Sequence, residues 1–276
     1  DSLRAYQPPN TDLGQHFLVD DELLNVMIEL AEVTSQDHVL EIGPGPGTLT
    51  QVLLQTGAKV TAIELDDGPV LHLDNVFSEQ QNSGVLSLLH GDALVEEWPQ
   101  SITKIVANIP YQISSPLIEK ITKFNAQNET SLNSVVLMVQ QEFAQRLTMR
   151  HPSDVGSLGM TVALDWNVEE HHVVAPHSFS PQPAVHSQVV SLHPHHTIWP
   201  VDKRLIRMMI HQAFAERRKK IRSTLKRAPR RISRLKGWHA QRWKDSISTL
   251  MDQEQMDLRP ESLQFEDWVN LAVGVE

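Results

Sequence analysis

The chain has 276 residues, 40% of them hydrophobic, a formal net charge of −10 and no cysteine. Length and apolar content suit one large domain, or one domain with a small appendage, around a sizeable core. The missing cysteines exclude disulfides and thiolate zinc sites and suit a reducing compartment, and no apolar run approaches the roughly 18 residues that a membrane span needs.

Asp20 or Asp21 caps a predicted helix in which Leu23, Leu24, Met27, Ile28 and Ala31 recur at helical spacing. Strands and helical stretches then alternate. Strands are predicted over 38–43, 59–65, 84–92, 104–109, 134–140, 160–166 and 187–193, with a helix over 48–57 that stops at Gly57. Such alternation implies a mostly parallel sheet covered on both faces. The last two strands, joined by a Pro-rich stretch, suggest an antiparallel finish. "HPHHTIWP" (193–200) reads as a linker, which places a boundary near 197, with one domain over 1–196 and a second over 197–276. Beyond it come predicted helices, one with Leu205, Met208, Met209 and Phe214 as its buried stripe and a last one carrying Leu263, Phe265, Trp268 and Leu271.

The net charge argues at first against nucleic acid, but its distribution reverses that. From Lys203 to Lys244 there are 16 Lys and Arg against the single acid Glu216, while the rest of the chain holds 8 bases and 33 acids. A merely solvated helical face would mix in more acids, so the basic segment points to a nucleic-acid partner.

"EIGPGPGTLT" (41–50) joins the first sheet strand to its helix through Gly43, Gly45 and Gly47. Glycine is needed where the backbone turns with positive φ or where a ligand presses on it. The spacing is G-x-G-x-G rather than the dinucleotide fingerprint, so it does not support a pyrophosphate site. Glu64 ends the second strand, 19 residues after Gly45, where a carboxylate can accept from the ribose hydroxyls of an adenosine. Asp92 closes the third strand, where it can accept from an adenine amine. Singly, each acid could equally cap a following helix. Together they fall on the sheet edge where open α/β folds bind ligands. The fourth strand ends in Asn108, Ile109, Pro110 and Tyr111. The Asn108 oxygen and a main-chain carbonyl of Ile109 or Pro110 are acceptors suited to an amino group, Pro110 fixes φ, and Tyr111 can stack on a base. The same four residues could also form an ordinary turn. The histidines at 171, 172, 193, 195 and 196 lack cysteine partners and helical i, i+4 spacing beside a carboxylate, so no metal is expected.

Glycine loop, Glu64, Asp92 and N-I-P-Y together resemble an S-adenosylmethionine-dependent adenine-N6 methyltransferase. More narrowly, the chain is similar to the ribosomal RNA adenine dimethyltransferase family. The resemblance runs in order through "LGQHFLVD" (13–20), "EIGPGPGTLT", "NIPYQISSP" (108–116), "VQQEFAQRL" (139–147), "FSPQPAVHSQVV" (179–190) and "AERRKKIRSTL" (215–225). It implies a Rossmann-like methyltransferase sheet, mostly parallel with an antiparallel last strand, and a small C-terminal helical domain. It implies S-adenosylmethionine as cofactor, and as target two adjacent adenosines near the 3′ end of small-subunit rRNA, each dimethylated at N6. The partner would be the immature small ribosomal subunit, and the enzyme a cytoplasmic monomer.

By that resemblance residues 13 to 20 fold over the cofactor, which His16, Leu18, Gly43, Gly45, Gly47, Glu64, Asp92 and Asn108 bind. Asn108, Pro110 and Tyr111 act on the target adenine, and Phe179 is a second aromatic on its other face. Arg217, Arg218, Lys219, Lys220 and Arg222 dock the RNA. His16 stands where the family usually has Asn, and Gly159 where it tends to have Ser. Two alternatives use the same motifs: a large-subunit rRNA adenine methyltransferase of the antibiotic-resistance type, and a non-enzymatic RNA-binding assembly factor on this fold. Intact Glu64, Asp92, Asn108 and Tyr111 argue against the second.

Overall fold

A computed structural model describes residues 16–128 and 131–276, so the part of "LGQHFLVD" before His16 lies outside the described residues. The chain divides into two compact units: a first, continuing to Ala144 and resuming over Trp166–Pro194, and a second, built from Gln145–Asp165 and His195–Glu276.

In chain order the first unit opens with β1 (Phe17–Leu18) and α1 (Asp21–Ala31), whose N-terminal N–H of Leu23 is capped by the Asp20 carboxylate at 3.3 Å. There follow β2 (His38–Ile42), α2 (Thr48–Gln55), β3 (Lys59–Glu64), α3 (Asp67–Val76), α4 (Ser78–Asn82), β4 (Leu86–His90) and β5 (Lys104–Asn108). Then come α5 (Ser114–Gln127), β6 (Ser134–Gln140), α6 (Gln141–Thr148, which runs on into the second unit), α7 (Ser157–Val162, within the second unit), β7 (Trp166–Val174), β8 (Phe179–Ser180) and β9 (Ser187–Pro194). The main sheet has the order β4-β3-β2-β5-β6-β9-β7; β2 to β6 pair in parallel, and β9 runs antiparallel to both β6 and β7. The chain leaves β2 for β3 and β4 on one side, then returns to β5 on the other. The C-terminal ends of β2 and β5 therefore flank a topological switch point, the crevice where such sheets bind ligands. β2, with every residue buried, and β6, buried up to Val139, read as apolar runs because helices cover both their faces.

One predicted strand is corrected. Residues 160–166 are not a strand: Ser157–Val162 is α7, in which the Thr161 hydroxyl donates to the Ser157 carbonyl at 2.8 Å. Met160 and Leu164 enter the core of the second unit. A Cβ at Gly159 would lie 2.4 Å from the Met149 side chain and 2.7 Å from the Arg146 carbonyl oxygen, so this chain has no room there for a serine. The strand begins only at Trp166. β7 is an edge strand that alternates polar residues and breaks register between Glu170 and Val173, a pattern that a search for apolar runs passes over.

The second unit adds α8 (Lys203–Ala215), α9 (Ile221–Thr224), α10 (Ala240–Ser248) and α11 (Phe265–Val275). Its core is formed by Leu205, Ile206, Met209, Ile210, Trp243, Ile247, Trp268 and Leu271, with Met208 and Phe214 only partly buried at its margin. The buried Asp165 carboxylate is paired with both Lys203 and Arg207, which compensates its loss of water. The predicted linker is tied down within this unit. Trp199 donates its indole N–H to the Leu164 carbonyl (3.1 Å) and meets Phe265 edge-on at 5.5 Å. The second unit thus resumes at His195 and also takes in 145–165, a segment the predicted division at 196/197 leaves with the first. Among the described residues no helix is long and apolar enough to cross a membrane.

Candidate functional site

The ends of three largely buried strands, β2, β3 and β5, meet at the C-terminal edge of the sheet. After β2 the chain turns through Gly43 (φ 68°) and Gly45 (φ 55°). A Cβ on Gly43 would touch the Pro110 ring at 3.4 Å, and one on Gly45 would clash with the Phe17 ring at 2.6 Å. The glycine loop therefore passes between the N-I-P-Y turn and β1, where positive φ at both positions, and the Phe17 ring at Gly45, favour glycine. His16, Phe17, Gly43, Gly45, Glu64, Asn108, Pro110 and Tyr111 line one cavity; Leu18, Glu41 and Thr48 line a smaller neighbouring one that shares Phe17, Gly43 and Asn108. Gly47 instead faces Leu73 of α3 and Phe77 at its end.

Glu64 is 5% exposed. Its Oε2 accepts the Gly45 N–H (3.1 Å) and its Oε1 accepts the N–H groups of Leu65 (2.9 Å) and Asp66 (3.1 Å). A carboxylate offers about four acceptor sites, so roughly one stays open toward the cavity. Burial raises the Glu64 pKa, and the three N–H bonds pull against that rise. A buried acceptor beside backbone that admits no side chain fits the sugar of an adenosine-type cofactor. Asp92 is only half-buried; its Oδ1 caps its own turn at Leu94 N–H (2.8 Å), and it does not line the cavity.

Glu41, 1% exposed, was not singled out from the sequence, although an acid inside an all-buried strand is a legible signal. Its Oε2 accepts the Thr50 hydroxyl at 2.6 Å. Burial, with a further push from Glu64, lifts its pKa from 4.5 to about 8. The folded pKa is raised, so the contribution of this group to stability is full below about 4.5 and is lost as pH rises through about 8. Across that window stability should fall by about 1.4 kcal/mol per pH unit from this group. Glu41→Gln should remove that component, leaving a flatter profile than the wild type when urea unfolding is compared at several pH values. Equal slopes in the two proteins would show that Glu41 is ionised in the fold.

The N-I-P-Y turn is held from three sides. The Asn108 Nδ2 donates to the His16 carbonyl at 2.9 Å, which turns Oδ1 away from that bond. The Pro110 carbonyl accepts the Ile113 N–H at 3.2 Å. The Tyr111 phenol and the Ser187 hydroxyl share a hydrogen bond of 2.6 Å, and burial raises the phenol's pKa. His16 closes the arrangement: its Nδ1 donates to the Pro181 carbonyl (2.9 Å) and its ring stacks on Tyr111 at 5.7 Å. Two rings at that spacing leave no gap for a base between them. Phe179, expected as the second aromatic, does not line the cavity. β8 pairs with β1, Leu18 opposite Phe179, and the Phe179 ring is 2% exposed in the core beside Leu18, Leu24 and Val189, away from the cavity. Phe17 and Ser187 are site residues that the sequence did not mark.

In the second unit, four of the five bases expected to dock RNA are ion-paired: Arg217 with Glu261 (3.2 Å), Lys219 with Glu216, Lys220 with Asp257 (2.9 Å) and Arg222 with Asp257 (2.7 Å). No cluster of three or more His, Cys, Asp or Glu suited to a metal occurs among the described residues.

The profile of the ribosomal RNA adenine dimethylase family matches residues 7–240. The chain is 33% identical over 289 aligned positions to a ribosomal RNA small subunit methyltransferase A of Synechocystis sp., covering 96% of this chain and 95% of that one. It is 35% identical to the protein so named in Prochlorococcus marinus, covering 97% and 91%. A crystal structure of a dimethyladenosine transferase from Plasmodium falciparum superposes with a TM-score of 0.76 at 27% identity, covering 93% of this chain and 96% of that one.

Proposed function

The chain belongs to the ribosomal RNA adenine dimethylase family, and from that premise we propose that it transfers methyl groups from S-adenosylmethionine to N6 of two adjacent adenosines near the 3′ end of small-subunit rRNA, giving N6,N6-dimethyladenosine. The immature small ribosomal subunit is the proposed partner and the cytoplasm the proposed site of action, with the enzyme acting as a monomer. The observation that carries the reading is the Asn108 amide, whose nitrogen is committed to the His16 carbonyl and whose oxygen stands beside Pro110 and Tyr111 in the same cavity as Glu64.

S-adenosylmethionine, when bound, supplies an electrophilic methyl group on a sulfonium. Glu64, the backbone at Gly43 and Gly45, His16 and Leu18 are the residues that would hold it, with Asp92 proposed for its adenine. Adenine N6 is a poor nucleophile because its lone pair is delocalised into the ring. The Asn108 Oδ1 and a main-chain carbonyl of Ile109 or Pro110, accepting the two amino hydrogens, favour a more localised lone pair. Pro110 (φ −57°) holds the turn that aims these acceptors. Tyr111, fixed at its hydroxyl by Ser187, offers a flat face for the base, and alignment with the methyl donor lowers the barrier. The target leaves its stack to reach such a pocket. The methylated nitrogen is acidic and releases its proton to water, so no side chain need act as base.

The test is methyl transfer from tritiated S-adenosylmethionine to undermethylated small subunits, with the RNA digested to nucleosides. Label in dimethyladenosine of small-subunit rRNA is expected. Label only in large-subunit RNA would assign the chain to the antibiotic-resistance type, and no label in either would leave it an RNA-binding factor.

A further inference from the structure

We propose that the segment from Lys226 to Lys236, rather than 217–222, is the surface that grips rRNA phosphates; this rests on the function proposed above. The segment carries Lys226, Arg227, Arg230, Arg231, Arg234 and Lys236 and no acid. All six are exposed, and none forms an ion pair among the described residues.

The backbone explains why they point outward. Successive i to i+3 hydrogen bonds run from Ile232 to Pro229, Leu235 to Ile232 and Trp238 to Leu235, at 3.0, 3.0 and 3.1 Å. In such tight turns side chains three apart eclipse one another. The turns are separate, since the 3-10 helix covers only Ile232–Arg234 and Leu235 is extended, but each returns the chain to an apolar residue, and Pro229, Ile232, Leu235 and Trp238 are all buried. The bases from 227 onward lie at the intervening positions and are exposed. The segment is also fixed in place: the Gln212 amide donates to the Thr224 and Arg227 carbonyls, and the Trp243 indole donates to the Leu225 carbonyl at 2.8 Å.

Charge then separates the two basic stretches. Four of the five bases at 217–222 already share the carboxylates of Glu216, Asp257 and Glu261, which would face an approaching phosphate as well. The six bases at 226–236 repel one another and none is ion-paired among the described residues, so a polyanion gains most there. Four of them are Arg, whose planar fork suits phosphate oxygens. A membrane surface is a poorer match, because bases that dock on lipid are joined by exposed apolar residues, and no exposed large hydrophobic residue occurs between 226 and 236.

The experiment uses the full chain in filter-binding titrations with a 3′-terminal fragment of small-subunit rRNA across a range of salt. Replacing all six bases with Gln should flatten the log–log salt slope by about four units if each meets a phosphate. Replacing Arg217, Arg218, Lys219, Lys220 and Arg222 with Gln should flatten it by less than about half as much, and cofactor affinity should stay unchanged in both. Should the sixfold variant fail to fold by circular dichroism, Arg230→Gln, Arg231→Gln and Arg234→Gln together should still remove about two units. An unchanged slope, or a larger loss from the 217–222 variant, overturns the proposal. So does an unchanged slope with lost binding to phosphatidylserine vesicles, which would assign the surface to a membrane. A wild type that methylates no small-subunit RNA, yet binds RNA with a slope governed by these six bases, would sink the proposed function and leave the docking surface standing.

Discussion

Replacing Asn108 with Ala should lower turnover by about 100- to 1,000-fold, the cost of about 2.7–4 kcal/mol seen when a preorganised transition-state hydrogen bond is removed. Cofactor affinity should change by only a modest factor, because Glu64 and the glycine backbone are untouched. The side chain is oriented before substrate arrives: the bond from Nδ2 to the His16 carbonyl fixes which way Oδ1 faces. Asn108→Asp is the informative companion. It keeps an acceptor oxygen but turns a carboxylate against the His16 carbonyl, so it should loosen β1 as well as slow the reaction. Single-turnover methylation, read beside cofactor binding by calorimetry, separates the two effects. A variant at Ala with near-normal turnover would remove Asn108 from the chemistry.

Glu64→Ala should weaken cofactor binding by about 100-fold or more and also lower stability. One charge-assisted hydrogen bond contributes about 1.5–3 kcal/mol, and the substitution strips an acceptor from the Gly45, Leu65 and Asp66 N–H groups together. Gly45 is the critical one. Its positive φ and its contact with Phe17 leave the loop no alternative packing, so a freed N–H there disturbs the cofactor cradle itself. Glu64→Gln retains one oxygen and should fall between the two. Calorimetric titration with S-adenosylmethionine would decide it, and wild-type affinity in the Ala variant would mean that Glu64 supports the loop without touching cofactor.

The centre of the parallel sheet was legible because its strands are buried and largely apolar, as in β5 and β6. β7 was not, since an edge strand with one open face spreads Asn167, Glu169 and Glu170 among its apolar residues. In the site, the sequence marks residues that end strands: Gly43, Glu64 and Asn108 lie at or just after the last residues of β2, β3 and β5. It cannot mark which way a loop side chain turns. Phe179 looks like a second base-stacking ring until its pairing with Leu18 carries it into the core. The place on Tyr111 goes to His16, far away along the chain. The basic stretch shows the same gap. Counting charges from 203 to 244 leaves out Asp257 and Glu261, which fold back onto Lys220, Arg222 and Arg217.

The pairing of β1 with β8 has a consequence for synthesis. The hydrogen bond between His16 and Pro181 spans 165 positions, while the glycine loop, Glu64 and Asn108 are all translated within the first 108. A nascent chain can therefore assemble β2 to β6 and hold every strand-end residue in register while its amino-terminal strand, tied by Asn108 and Thr48, still lacks its β8 partner. Long-range closures of this kind form late, after the local pairings they depend on. The pocket becomes whole only once the ribosome has passed Pro181, so an unfinished chain carries the floor of the site under a cover fastened on one side.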